Sequence, residues 1–312
     1  MRIVFFGSPA TALPSLEALL AAGHSIELVV TQPDRPAGRG RRLVPSAVKA
    51  FAVERGFPVI EPAKIRTDEA ARERIAAAGP DVNVVVAYGQ IIPRAVHYFP
   101  PRHSLNVHFS LLPKYRGAAP VQRTVLNGDA ETGVTVIELD DRMDEGDILA
   151  QERVAARPRE SARDLESRLA VLGAALLVRT LARIDSVPRI KQDHALATLA
   201  PKLRKEDGRI DWTRPADEID RRVLALADRP GVFTFYGGKR INILRGRVLE
   251  DPIAGEAGPG RIVAVRKDGL AVACGGGTVF LVEEVQPEGR GAMSAHAFTL
   301  GTQLSPGEIF GI

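Results

Sequence analysis

The 312-residue chain contains a single cysteine, Cys274. That excludes an intrachain disulfide, and no Cys/His spacing of the metal-binding kind occurs either, so no metal is expected. Cys274 precedes Gly275-Gly276-Gly277 and leaves two readings open, a reactive thiol or a small buried hydrophobe. No apolar run approaches the roughly 18 residues of a membrane span. The apolar start, Ile3 to Phe6, is cut off by Gly7-Ser8-Pro9, too short for a signal peptide and without a cleavage pattern, so a cytoplasmic protein with no membrane partner is expected. Internal repeats and low-complexity tracts are also missing. The turn after the first apolar run is not a GxGxxG, so no dinucleotide is inferred. No serine or cysteine stands in a nucleophile elbow, Ser110 included, which points away from a covalent enzyme intermediate.

What the chain does have is an ordinary globular composition, 45% hydrophobic and 26% charged, with a length that suits about two domains. The net charge of +4 is unevenly spread. Residues 34–49 carry Arg35, Arg39, Arg41, Arg42 and Lys49 against Asp34 alone. Residues 179–205 hold seven basic side chains against Asp185 and Asp193, which leaves the remainder of the chain slightly acidic. Two such stretches fit a polyanionic partner, and they also fit a pair of solvated loops.

Apolar strand-like and helix-like segments alternate along the first half. Arg2 to Phe6, Ile26 to Thr31, Val59-Ile60 and Val82 to Val86 read as strands. Leu13 to Leu20, Ser46 to Arg55 and Thr67 to Ala78 read as helices between them. That βαβ order predicts a Rossmann-like, doubly wound, mostly parallel sheet, whose ligands bind at the carboxyl ends of the strands. Residues 160–184 form one long helix pattern with Ser161 as N-cap and a Leu165, Leu169, Leu172, Leu176 stripe for core packing. Beyond Val187 the pattern changes. Five short β-like runs, Val232–Tyr236, Arg240–Leu249, Gly260–Val265, Leu270–Ala273 and Thr278–Val285, predict a small β-barrel. The expected division is 1–188, a basic linker at 189–206, and 207–312.

Asn106-Val107-His108 is the candidate for chemistry. On a strand, residues 106 and 108 share a face. An amide suits an oxyanion hole, and an imidazole suits proton transfer near neutral pH. Asp144, in Asp144-Glu145-Gly146-Asp147, would hold the imidazole, favour its protonated form or share a water with it. On spacing alone the same residues also fit an ordinary strand end and a turn aspartate.

The run from Asn106 to Pro120, with Thr132-Gly133-Val134-Thr135 and Asp144 to Asp147, resembles the 10-formyltetrahydrofolate-dependent formyltransferases. Pro33 to Arg42, Tyr88-Gly89-Gln90-Ile91-Ile92-Pro93, Glu206 to Trp212 and Pro230 to Thr234 resemble the branch acting on methionyl-tRNA. The resemblance spans almost the whole chain. It implies Asn106, His108 and Asp144 as catalytic residues. Folate contacts would come from Ser110, Leu111, Leu112 and Pro113, with Tyr88, Gln90, Ile91, Ile92 and Asp140 lining the pterin pocket. A tRNA-binding loop would carry Arg35, Arg39, Arg41, Arg42 and Lys49. The C-terminal domain would be an OB-like barrel that binds tRNA. The implied reaction moves a formyl group from 10-formyltetrahydrofolate to the α-amine of methionyl-initiator tRNA, with no metal. Nothing in the sequence demands more than a monomer. A formyltransferase acting on a small amine such as an amino-sugar nucleotide, or a formyltetrahydrofolate hydrolase, would share the central motif without needing the basic stretches. A non-catalytic binding module would not need the acid/base pair.

Three positions depart from the family pattern. Phe109 stands where a small residue is usual, and would either alter the loop backbone or fill part of the pocket. Thr11 stands where an aromatic near the amino-acid side chain is usual. Residues 227–231, Ala-Asp-Arg-Pro-Gly, lack the aromatic usual before Pro-Gly.

Overall fold

In the computed structural model the described residues are 1–37, 42–250 and 257–311. They form two compact units. Residues 1–120, 130–156 and 164–201 make the first, and residues 121–129, 157–163 and 202–312 the second.

The first unit runs β1 (Arg2–Gly7), α1 (Leu13–Ala21), β2 (Ser25–Val30), a small hairpin of β3 (Arg35–Ala37) and β4 (Arg42–Val44), α2 (Ala47–Glu54), β5 (Val59–Ile60), α3 (Glu69–Ala77), β6 (Val82–Val86), α4 (Arg94–His97) and β7 (Ser104–His108). In chain order α5 (Pro120–Asn127) follows, then β8 (Glu131–Glu138), β9 (Ile148–Ala155) and α6 (Ala162–Leu181). Ser46 and Asp68 start α2 and α3 by accepting from the backbone N–H of Lys49 and Ala71, both at 3.0 Å, which satisfies amides a helix start otherwise leaves unpaired.

Seven strands form one sheet in the order β5-β2-β1-β6-β7-β8-β9. The first five are mutually parallel, and β8 and β9 add antiparallel pairings. The near-continuous apolar strands reflect burial on both faces, as a parallel sheet requires. Val4, Phe6, Leu28, Val30 and Val85 face Ala71 and Ile75 of α3 and Val96 of α4. Val107 and Val134 face α6. A Cβ on its Gly173 would come within 2.8 Å of Val107 Cγ1 and 3.1 Å of Val134 Cγ1, so the helix lies close because this position has no side chain. Chain order reverses between β1 and β6, the switch point where such sheets hold their ligands.

The second unit contains α5, α7 (Ala216–Leu226), β10 (Val232–Tyr236), β11 (Lys239–Leu249), β12 (Ile262–Arg266), β13 (Gly269–Ala273), β14 (Val279–Pro287), β15 (Met293–Ser294) and α8 (Ala295–Thr302). Its sheet is antiparallel throughout, in the order β10-β11-β14-β13-β12, with β15 on β14. The five runs expected from the sequence are these five strands, to within three residues at each end. Trp212, Ile219, Val223, Ile243, Phe280, Val282 and Phe298 make its core. Cys274 is 3% exposed in that core, and burial pushes its thiol up to about 12, so of the two readings it is the small buried hydrophobe.

The expected linker is not a free connection. Ile190 exchanges two backbone hydrogen bonds with Ile148 of β9, at 2.8 and 2.9 Å. Leu199 bridges to Arg116, and the first unit extends through Pro201. Arg189 of this stretch pairs with Glu138, and Arg179 of α6 pairs with Glu152.

Candidate active site

Strand β7 supplies the first two residues. Asn106 lies beside Val85 in the parallel register, so it points to the same face as Val85, toward α3 and α4. His108, two residues on, shares that face and is 6% exposed. Phe109 has the opposite parity. A Cβ on Gly173 would lie 3.5 Å from its ring, so the phenyl packs under α6, away from His108, and does not fill a pocket on the Asn106 face.

Asp144 comes from the loop between β8 and β9 and adopts a left-handed backbone, φ 56°. Its carboxylate accepts from the Gly117 backbone N–H at 2.9 Å and, at 3.4 Å, from Asn106 Nδ2. Its Oδ2 also stands 3.7 Å from His108 Nδ1. The other ring nitrogen, Nε2, is 3.0 Å from the backbone carbonyl of Tyr115. A carbonyl only accepts, so Nε2 carries a hydrogen. The nitrogen facing Asp144 is Nδ1. Amide, imidazole and carboxylate thus meet at the carboxyl end of β7, one strand from the sheet's switch point.

The loop from Ser110 to Gly117 is tied down by polar contacts. Ser110 Oγ donates to the Lys114 carbonyl at 2.6 Å. Thr135 Oγ1 donates to the Ser110 carbonyl at 2.7 Å and accepts from the Leu112 N–H at 3.1 Å. Gln151 Nε2 donates to both the Leu112 carbonyl and Thr135 Oγ1, each at 2.9 Å. Leu112 is buried, Leu111 packs against Gly133, and Pro113 is half-buried.

Among the residues expected to line the pterin pocket, three have side chains engaged within the fold. The Tyr88 ring is 2% exposed and packs edge-on to Phe6 in the core. Ile92 belongs to the same core cluster. Gln90 accepts from the Ile65 N–H and donates to the Pro62 carbonyl, both at 2.9 Å, so its amide fastens a neighbouring loop. Only the Ile91 side chain projects to solvent, and Asp140 is half-buried, accepting from the Arg142 N–H at 2.9 Å. The family resemblance that assigned this segment to the pocket carries no information on the direction of its side chains.

The formyl transferase domain family matches residues 1–181, and the formyl transferase C-terminal domain family matches residues 202–303. The methionyl-tRNA formyltransferase of Moorella thermoacetica is 44% identical over 313 aligned residues, spanning all of this chain and 99% of that protein. The methionyl-tRNA formyltransferase of Thiobacillus denitrificans is also 44% identical, with both chains covered in full. The chain belongs to the methionyl-tRNA formyltransferase family. Among solved structures, the Helicobacter canadensis N-formyltransferase in complex with folinic acid and dTDP-3-aminofucose superposes with a TM-score of 0.65 at 18% identity, covering 92% of this chain and 99% of that one, a likeness of fold.

In this member of the methionyl-tRNA formyltransferase family the basic loop is only partly within the described residues. Arg39 and Arg41 lie outside them, and Arg42 is described by its backbone alone, in β4. Arg35 is exposed and donates to Gln32 Oε1 at 3.1 Å. Lys49 differs from the expectation. Its ammonium lies 2.7 Å from Asp34 Oδ1 and 2.8 Å from Glu61 Oε2, and both partners raise its pKa. Its charge is already neutralised twice over, so it fastens α2 and is not a free cation for a phosphate backbone. Asp34 was visible in the sequence as a neighbour, but Glu61 reaches Lys49 only through the fold.

The sequence reading also missed the residues that hold the site together. The Tyr115 carbonyl and the Gly117 N–H are backbone groups and carry no side-chain signal. Arg116 and Gln192, each 6% exposed, bond to one another beneath the two loops.

Proposed function

We propose that the protein transfers a formyl group from 10-formyltetrahydrofolate to the α-amine of methionyl-initiator tRNA, yielding formylmethionyl-tRNA for translation initiation. The observation that carries this reading is the meeting of Asn106, His108 and Asp144 at the end of β7, in a chain that matches methionyl-tRNA formyltransferases over its whole length. The donor set suits a folate-borne formyl group. Asn106 is half-buried and engages Asp144 through only one long hydrogen bond, which leaves amide donor capacity on this face among the described residues. Ile91 offers exposed apolar surface for a flat ring, and Asp140 a carboxylate.

When bound, the folate supplies a formyl carbon already at the oxidation level of the product amide, so the transfer needs no redox step. Asn106 donates a hydrogen bond to the formyl oxygen as negative charge develops there. His108, fixed by the Tyr115 carbonyl at Nε2, adds positive charge when Nδ1 is protonated. Asp144 balances that imidazolium and, directly or through water, relays the proton lost by the attacking amine. The new bond is between the amine nitrogen and the formyl carbon, the bond from that carbon to N10 breaks, and the proton given up by the amine ends on N10 as tetrahydrofolate leaves. Ser110, Leu111, Leu112 and Pro113 shape the donor side of the site. Arg35, Arg39, Arg41 and Arg42 contact phosphates of the acceptor stem together with the C-terminal domain, residues 207–312.

The His108→Ala enzyme tests the mechanism: turnover with 10-formyltetrahydrofolate and methionyl-tRNA should be lost while tRNA affinity changes little. Substantial residual turnover would remove His108 from the chemistry.

A further inference from the structure

Two loops build the site. One, residues 110–119, gives the Tyr115 carbonyl to His108 and the Gly117 N–H to Asp144. The other, residues 139–147, gives Asp144 itself. Beside the direct links from the Gly117 N–H to Asp144 Oδ2 and from Arg116 to Glu145, one side chain from a third segment grips both loops. Gln192 Nε2 donates to the backbone carbonyls of Asp144 and Gly146, each at 2.8 Å. Gln192 Oε1 accepts from Arg116 Nε at 3.1 Å and from Arg116 Nη2 at 2.9 Å. A carboxamide has two donor hydrogens and two acceptor lone pairs, so all four valences are used.

We propose that Gln192 is a positioning residue for formyl transfer, holding the Asp144 loop and the Tyr115–Gly117 loop at the separation that sets His108 against Asp144. This rests on the function proposed above. The chain of contacts is short on both sides. Arg116 follows Tyr115 directly, so fixing its guanidinium fixes the carbonyl that orients the imidazole. Gln192 grips Asp144 by its own carbonyl, and the left-handed backbone there directs the carboxylate back at His108 and Asn106.

The surroundings support an orienting role. Arg116 and Gln192 are both 6% exposed, and Glu145, 3.4 Å from Arg116 Nη1, balances the buried guanidinium. Around Gln192 the chain is held by backbone bonds, Ile190 to Ile148 on one side, and on the other Arg116 N–H to the Thr198 carbonyl at 2.9 Å and Ala200 N–H to the Arg116 carbonyl at 2.7 Å. Thr198 Oγ1 also accepts from the Tyr115 N–H at 2.9 Å. Residues 190–200 therefore strap both catalytic loops. A carboxamide is the side-chain type that can satisfy two carbonyls and a guanidinium at once. Glutamate would keep the Arg116 side and turn the carbonyl side repulsive, whereas methionine would keep the volume and lose all four bonds.

The test uses steady-state kinetics of the full-length enzyme with 10-formyltetrahydrofolate and methionyl-tRNA. Misplacing a catalytic group by about 1 Å costs about 100-fold in rate. Gln192→Met should therefore lower kcat by roughly 10- to 100-fold, with KM for both substrates within about threefold of wild type. In Gln192→Glu the deficit should shrink as pH falls, because a protonated carboxyl regains one donor for the Asp144 or Gly146 carbonyl. A Met variant with wild-type kcat, or a loss confined to KM, would overturn the assignment. So would a Glu deficit that is the same at every pH. Should the Met variant fold poorly, the pH dependence of the Glu variant decides alone. A wild-type enzyme that transfers no formyl group would instead defeat the functional reading, and an active wild type beside an equally active Met variant would defeat only the role of Gln192.

Discussion

In the proposed mechanism His108 acts through the placement of its hydrogens. Because Nε2–H is committed to the Tyr115 carbonyl, Nδ1 alone faces Asp144 and would handle the proton. Removing the charge with Asp144→Asn keeps an acceptor for the Gly117 N–H but takes away the support for an imidazolium, so kcat should fall by roughly 100-fold or more, the scale of a positioned acid/base. The measurement is kcat across pH; an unchanged profile would separate Asp144 from the proton. Cys274 sets an opposite expectation at the same scale. Its pKa, raised by burial to about 12, keeps it a thiol, so it should resist alkylation near pH 8 in the folded protein and react only on unfolding, as mass spectrometry under native and denaturing conditions would show. The shared face of Asn106 and His108 could be read from strand parity alone. The Tyr115 carbonyl and Gln192 could not, since one is backbone and the other lies 84 positions beyond His108 in a stretch that reads as a linker.

Among the elements, the two catalytic loops depend on close approaches that exclude side chains. A Cβ on Gly146 would lie 1.7 Å from the Glu138 carbonyl oxygen, and backbone cannot yield as a flexible side chain can. Gly146→Ala should therefore displace the Asp144 loop. Overpacking of this kind costs about 1–3 kcal/mol, and the variant should lose stability in chemical denaturation together with most of its activity. The glycine of Asp144-Glu145-Gly146-Asp147 is thus required by sterics, a reason the motif alone does not reveal. The alternation of the sheet strands β1, β2 and β6 with helices was plain in the sequence because these strands are largely buried, whereas the exposed β3–β4 hairpin carried no such signal. The side-chain directions at Tyr88, Gln90 and Ile92 were not, because a turn between strand and helix offers no periodicity from which to deduce them.

For the whole molecule, the proposed function assigns substrate choice to charge outside the triad. The triad would serve formyl transfer to any amine, whereas the basic loop around Arg35 and Arg42 suits a polyanion. Arg41→Ala combined with Arg42→Ala should weaken tRNA binding and reduce the log–log salt slope by roughly 0.7–0.9 for each phosphate that no longer meets an arginine. Lys49→Ala should leave that slope unchanged, since Asp34 and Glu61 already neutralise the ammonium. The opposite ranking would place the phosphates on α2. The two-unit organisation was legible as a change of pattern near residue 187, but its boundary was not, because backbone pairing carries the first unit on to Pro201. Among the described residues no helix is long and apolar enough to cross a membrane.

The central claim is tested most directly by giving the purified protein formyl-labelled 10-formyltetrahydrofolate together with charged initiator tRNA and an amino-sugar nucleotide, and following the label. The structure and the family predict label on the methionyl α-amine of the tRNA. Label on the amino sugar, or release as free formate with no acceptor modified, would contradict it.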